Sequence, residues 1–249
     1  MPGVTIRGWL VVRPEPGNGR TAIRLREAAG PARDVAQLAL FSVHAVAWQA
    51  PAPDGFDALL LTSANAVRHG GEGLAALRAL PVVAVGEATA TAARRAGFSV
   101  AVVGDGDASA AIAQAGTYGF RRLLRLAGRD HAPGAAGAVT GMADTHIVYA
   151  SDPLPITAAA IAAADRRLVL LHSSRAAHRF ADLVDDAGLD RSRIGVVALS
   201  QAVLAAAGSG WLIAEACSRP CDTTLVAAAV ALADQRAIDR SPGAGDKRP

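Results

Sequence analysis

The sequence predicts an α/β protein of two related lobes, each a parallel sheet covered by helices on both faces. Three observations carry this. Residues 57–98 repeat one pattern twice. Apolar runs at 58–61 and 81–85 are followed by small polar residues (Thr62, Ser63 and Asn65, then Gly86, Glu87 and Thr89), and each cluster opens into an Ala/Leu/Arg segment. Short buried strand, tight turn and helix is the pattern's reading, and strands alternating with helices imply parallel pairing. The arrangement then returns downstream. The run 168–171 leads into His172, Ser173, Ser174 and Arg175, and 196–199 leads into Ser200 and Gln201. Gly97-Phe98 has a counterpart in Gly210-Trp211, and Asp107-Ala108-Ser109 in Cys221-Asp222-Thr223. Finally, 249 residues with 51% hydrophobic content suit two cores of moderate size.

Taken in order, residues 8–12 form a first strand ending at Arg13-Pro14-Glu15, and a Gly/Asn loop leads to a helix of about ten residues from Thr21. Residues 38–47 are apolar and β-branched with no helix after them, so they read as one strand, followed by a Pro-rich loop to Gly55. After the 57–98 stretch come a strand at 99–103, a helix at 109–115, a strand at 121–126 ending in Ala127-Gly128-Arg129-Asp130, and a Gly/Ala-rich segment at 131–141. A strand at 145–149 mirrors 38–47, and the two read as a hinge flanking the middle lobe. The first lobe is then discontinuous, residues 1–40 with 152–239. The second is 41–151, with hinge strands near 41–47 and 145–150. The C-terminal part continues with a helix at 156–164, a strand at 168–171, a helix to 187, a strand at 193–199, a helix to 208, a strand at 210–216 and a helix at 223–235. Residues 240–249 read as a disordered tail.

Composition excludes several classes. No run of about 18 apolar residues lacks charge, so no membrane span is expected. No leader is expected before the first strand, and a cytoplasmic protein is expected. The net charge is only +3 and no Lys/Arg block occurs, which gives nucleic-acid binding no support. All basic residues but Lys247 are arginine, which suits carboxylate ligands and argues against a Schiff-base lysine. Cys217 and Cys221 have no second ligand pair nearby and the six histidines are scattered, so no metal site is expected.

The segment from Gly104 to Ser109 resembles a dinucleotide loop, but its aspartates would repel a pyrophosphate, and a turn capping the next helix is the better reading. Ser173 and Ser174 stand beside His172 without the surroundings of a hydrolase elbow. What recurs is Ser, Thr or Gly at strand ends preceding helices, where free backbone N–H groups and the helix dipole favour anions. Arg13, at the end of its strand, lies where open α/β sheets bind ligands.

With these residues in view, the chain resembles the uroporphyrinogen-III synthase family over roughly residues 8–235. The matching pieces are Arg13-Pro14-Glu15, Leu60-Leu61-Thr62-Ser63-Ala64-Asn65-Ala66-Val67, Ala84-Val85-Gly86-Glu87-Ala88-Thr89-Ala90, Val148-Tyr149 and His172-Ser173-Ser174. The resemblance implies two Rossmann-like (flavodoxin-like) lobes joined by a two-strand β hinge, with the active-site cleft between them. It implies cyclisation of the linear tetrapyrrole hydroxymethylbilane to uroporphyrinogen III, with loss of water and inversion of ring D, by a cofactor-free monomer. Tyr149 matches the family's hinge tyrosine and would assist departure of the hydroxyl. Thr62, Ser63, Thr89, Ser173 and Ser174 match cleft-lining positions. Asn65, Gly86, Arg13, Arg129, Ser200 and Gln201 complete the candidate substrate-binding set. Ser200-Gln201-Ala202-Val203 departs from the glycine and threonines common at that rim. That departure leaves a second reading open, a non-catalytic tetrapyrrole- or anion-binding module on the same scaffold.

Overall fold

The computed structural model describes residues 4–30, 33–105, 108–130 and 142–238. The chain divides into two compact units, residues 1–42 with 153–249, and residues 43–152. The expected Gly/Ala-rich segment at 131–141 and tail at 240–249 lie outside the described residues, as does part of the loop from Gly104 to Ser109.

In the first unit, β1 (Gly8–Val11) leads through α1 (Gly17–Ala29) to β2 (Asp34–Gln37). After the second unit come α6 (Ala158–Ile161), β9 (Arg167–Leu171), α7 (Ser174–Asp186), β10 (Gly195–Ala198), α8 (Gln201–Ala207), β11 (Ile213–Ala216) and α9 (Asp222–Ile238). The sheet order is β11-β10-β9-β1-β2, parallel throughout. Strand alternation sorts the side chains into two layers. Leu10, Val169, Leu171 and Val196 pack against Ala177, Phe180 and Val184 of α7. Trp9, Val11, Leu168 and Leu170 pack against Leu25 of α1 and Leu225 of α9. Trp9 Nε1 also donates to the Ala229 carbonyl at 3.0 Å, so the largest core side chain buries no unpaired N–H. Each fully buried leucine or valine in these layers contributes about 1.5–3 kcal/mol.

The second unit contains β4 (Ala58–Leu61), α2 (Ala64–His69), α3 (Gly73–Ala76), β5 (Val82–Ala84), α4 (Glu87–Arg95), β6 (Val100–Val103), α5 (Ala108–Thr117) and β7 (Leu123–Gly128). With β3 (Phe41–Ala45) and β8 (Met142–Pro153) they give the order β3-β8-β7-β4-β5-β6. Leu59, Leu61, Leu124 and Leu126 face Ala66 of α2 and Ala90 of α4, while Leu60, Val83 and Leu123 face Ile112 of α5. The chain crosses between units within β3 and at the end of β8. Bonds from Val46 N to the Val148 carbonyl (3.0 Å) and from Leu154 N to the Leu40 carbonyl (3.0 Å) make that strand pair antiparallel.

Several element expectations need correction. The run 38–47 is not one strand. Asp34–Gln37 pairs with β1, Leu38 N and Leu40 N continue that pairing to the Val11 and Val12 carbonyls, and a separate strand begins at Phe41. Helix α1 starts at Gly17, not Thr21, because Asn18 turns inward and donates to the Val11 and Arg13 carbonyls at 3.1 and 2.9 Å. The helix after Thr62 is split in two at Gly70-Gly71, where Gly71 takes φ 61°. The helix expected at 156–164 is one α-turn followed by a 3-10 turn over Ala162–Ala164.

Candidate functional site

Both sheets have a switch point, where consecutive connections leave in opposite directions and open a crevice beyond the carboxyl ends of two neighbouring strands. In the first unit it lies between β1 and β9, because β1 connects outward to β2 and β9 connects the other way to β10. In the second it lies between β4 and β7, because β4 leads to β5 and β6 and the chain then returns to β7 on the far side. The residues just beyond these four strand ends include Arg13, His172, Ser173, Thr62, Ser63 and Arg129.

At the second unit's crevice, Ser63 caps α2, its hydroxyl accepting from Asn65 N at 3.1 Å. Asn65 Oδ1 accepts from Arg68 Nη1 at 2.9 Å. The hydroxyl of Thr62 makes no hydrogen bond among the described residues. Tyr149 stands on β8 in register with Gly128, and its carbonyl accepts from Arg129 N at 2.9 Å. Its ring covers Gly128 so closely that a Cβ there would lie 2.6 Å from Cε2 and Cζ. The His69 ring lies 6.4 Å from it, centroid to centroid. Burial, then the charges of Arg68 and His44, hold the His69 pKa below its ordinary value. Arg129 forms an ion pair with Asp152, whose other oxygen is 3.4 Å from His44 Nε2. Gly86 precedes α4 with open space on the side a Cβ would occupy, and Thr89 is buried in that helix's first turn.

At the first unit's crevice a polar network surrounds Asp222, at the start of α9. Its Oδ1 accepts from Thr21 Oγ1 at 2.7 Å and from Arg13 Nη1 at 3.2 Å, and lies 2.7 Å from His172 Nε2. Arg24 bonds the other oxygen. Burial works to raise the Asp222 pKa, but the hydrogen bonds from His172 and Thr21 and the Arg24 bond together hold it well below the usual carboxylate range. Burial pushes His172 the opposite way, below its ordinary value, and the hydrogen bond to Asp222 only partly offsets this. The arrangement is that of a neutral imidazole donating Nε2–H to an ionised carboxylate. Arg13 also lies against Gly17, where a Cβ would be 2.4 Å from its Nε. Ser173 and Ser200 cap α7 and α8, accepting from Ala176 N at 3.2 Å and Val203 N at 3.4 Å. Ser174 Oγ donates to the Ala202 carbonyl at 3.4 Å, and Gln201 is exposed in the first turn of α8.

The structure thus gathers Thr62, Ser63, Arg129 and Tyr149 around one crevice, and Arg13, Ser173 and Ser174 around the other. Gly86 and Thr89 stand beyond β5, and Ser200 and Gln201 beyond β10, one strand further out in each sheet. Sequence reasoning missed Asp222 as a hub and used it only as part of a repeated landmark. The recurrence of an aspartate in the Cys221-Asp222-Thr223 landmark was the available signal. Among the described residues no group of three His, Cys, Asp or Glu is placed to hold a metal ion. No described helix is long and apolar enough to cross a membrane.

Two α/β units, each with a polar crevice at its switch point, define the class as a two-lobed α/β protein. The family model described as uroporphyrinogen-III synthase HemD matches residues 42–220. The chain therefore belongs to the uroporphyrinogen-III synthase family, enzymes of tetrapyrrole synthesis. Among solved structures it resembles uroporphyrinogen-III synthetase from Helicobacter pylori 26695, with 15% identity, 91% of this chain and 99% of that chain covered, and a TM-score of 0.62. It also resembles a mutant uroporphyrinogen III synthase from the extremely thermophilic bacterium Thermus thermophilus, with 17% identity, 92% and 99% covered, and a TM-score of 0.54. At these identities the structural likeness establishes the fold. No curated protein sequence matches the chain.

Proposed function

We propose that this protein converts hydroxymethylbilane to uroporphyrinogen III, as a cofactor-independent, cyclising hydro-lyase acting as a cytoplasmic monomer. The observation that carries the reading is Tyr149 held over Gly128 at the second unit's switch point, in a chain of this family. A phenol donates one hydrogen bond at neutral pH. Tyr149 donates it to the departing hydroxyl and passes over its proton as the C–O bond breaks, so that water leaves, the adjacent pyrrole takes up the positive charge, and the proton that ring D releases on ring closure restores the phenol. The remaining task is geometric, since the substituted carbon of ring D must attack in preference to the free one. Holding such a near-attack arrangement supplies up to about 7–11 kcal/mol in favourable cases.

Thr62, Ser63 and Asn65 offer hydroxyl, amide and backbone donors to the substrate's acetate and propionate groups, as do Gly86 and Thr89. Arg129, Arg13, Ser173, Ser174, Ser200 and Gln201 are the further binding residues of this reading. Arg13 is already bonded to Asp222, so its part is to present a fixed positive edge to the ligand. Turnover of hydroxymethylbilane with analysis of the product isomer tests the reading, and formation of the III isomer is the expected result.

A further inference from the structure

Buried polar groups in this chain are, as a rule, paired. Asn18 and Thr21 are bonded as described, and the buried Arg167 reaches Asp34 and the Ala163 carbonyl. Single buried nitrogens of Arg167, His172 and Arg179 also lack a bond, but each of those side chains has another nitrogen paired, and among the described residues Arg125 is the one with two left over. It is the third residue of β7, every residue of which is buried, and it is only 5% exposed. Its Nε and Nη1 are buried and, among the described residues, meet no hydrogen-bond partner.

The strand pairing explains why. Leu124 and Leu126 enter one core of the unit and Leu123 the other. By alternation Arg125 faces the α5 side of the sheet, level with Thr145 of β8. The acid next to Thr145, Asp144, is level with Leu124 and so belongs to the opposite face. There its oxygens take the Thr145 N–H at 2.7 Å and His146 Nε2 at 3.1 Å. Burial draws the Arg125 pKa down, and the Tyr149 phenol only partly offsets this.

A guanidinium held out of water without a partner is among the most costly groups a folded chain carries. A ligand anion that completes it recovers that cost on binding. One guanidinium carries a single positive charge, which one carboxylate balances and a phosphate dianion exceeds. We propose that Arg125 is a carboxylate-binding residue, its unpartnered guanidinium held on the α5 side of β7 to receive one acidic group of the ligand. The site rests on Arg125 and its surroundings; that the ligand is a tetrapyrrole rests on the function proposed above.

The test compares wild type, Arg125→Met and Arg125→Lys. Tryptophan-fluorescence titrations at constant ionic strength use two probes, uroporphyrin III and the compact polycarboxylate mellitate, and thermal unfolding is followed without ligand. Wild type is expected to bind both probes. Arg125→Met should lose about tenfold to a hundredfold in affinity for each, with Arg125→Lys between the two. The ligand-free Arg125→Met chain should melt at or above the wild-type midpoint, since the substitution removes an uncompensated charge. Equal affinities in wild type and Arg125→Met, or no binding of either probe to wild type, would overturn the proposal. A lower midpoint for Arg125→Met would overturn it too, by showing that the guanidinium already has partners. Arg125-dependent binding of mellitate with no binding of uroporphyrin would uphold the site and refute the tetrapyrrole reading alone.

Discussion

The Tyr149 ring occupies the space that a side chain on Gly128 would fill. Those two residues are paired across β7 and β8, and a Cβ on Gly128 would stand 2.6 Å from the ring and 2.9 Å from the phenolic oxygen. Gly128→Ala therefore has to move the ring. Overpacking of this kind costs about 1–3 kcal/mol. A lower melting temperature together with impaired turnover is expected, and a variant that melts and turns over like wild type would show that the ring moves freely.

Tyr149→Phe separates packing from chemistry. The ring stays over Gly128 and only the hydroxyl goes. Turnover should fall at least tenfold while the melting midpoint shifts little. Unchanged turnover would remove Tyr149 from the mechanism.

The helix-capping serines and Thr62 should behave differently. Ser173 accepts from Ala176 N, so Ser173→Ala should cost about 1 kcal/mol of stability. Thr62 makes no such bond among the described residues. Thr62→Val should leave the melting midpoint in place and raise KM. Urea unfolding and steady-state kinetics on the two variants distinguish these effects, and a destabilised Thr62→Val would contradict the assignment of its hydroxyl to the ligand.

The Asp222 network fixes a pH dependence. His172 and His69 are both held below the ordinary histidine pKa, chiefly by burial. The unfolded chain therefore binds protons below pH about 6.5 that the folded chain does not yet take up, and stability falls as pH drops through that range. Asp222, with its folded pKa depressed, adds a further loss only at lower pH, below about 4, where the unfolded carboxylate protonates first. His172→Gln can still donate to Asp222 but does not titrate. Its melting midpoint should decline less steeply between pH 6.5 and 5, with the remaining slope coming from His69 and the other titrating groups. An unaltered slope would show that His172 is not the group responsible.

The backbone pairing in the first sheet is equally testable. A Cβ on Gly8 would lie 2.1 Å from the Asp34 carbonyl oxygen of β2. Gly8→Ala should lower the melting midpoint by disrupting the β1–β2 pairing, and a wild-type midpoint would mean that β2 yields without cost.

The elements read well from the sequence were the apolar runs, because a fully buried parallel strand has to be apolar on both faces. Ala58–Leu61, Val82–Ala84 and Arg167–Leu171 belong to this group. Asp34–Gln37 was missed because an edge strand exposed on one side carries the polar Asp34 and Gln37. The Asp222 hub was illegible for another reason. Thr21, His172 and Asp222 are far apart in the chain and meet only because α1, the end of β9 and the start of α9 converge at one end of the sheet. Arg125 lies inside the strand expected at 121–126, and its lack of a partner among the described residues is visible only once β8 is set beside it. The family resemblance was legible because its short motifs fall at strand ends, where the fold constrains turn residues as well as packing.

The central claim is the conversion of hydroxymethylbilane to the III isomer. The most direct measurement generates that substrate in situ, adds the purified protein, oxidises the products and separates the I and III isomers by chromatography. The account predicts a dominant III isomer that diminishes in Tyr149→Phe. Folded protein that yields only the I isomer, the product of spontaneous closure, would contradict it and leave a tetrapyrrole- or anion-binding protein in its place.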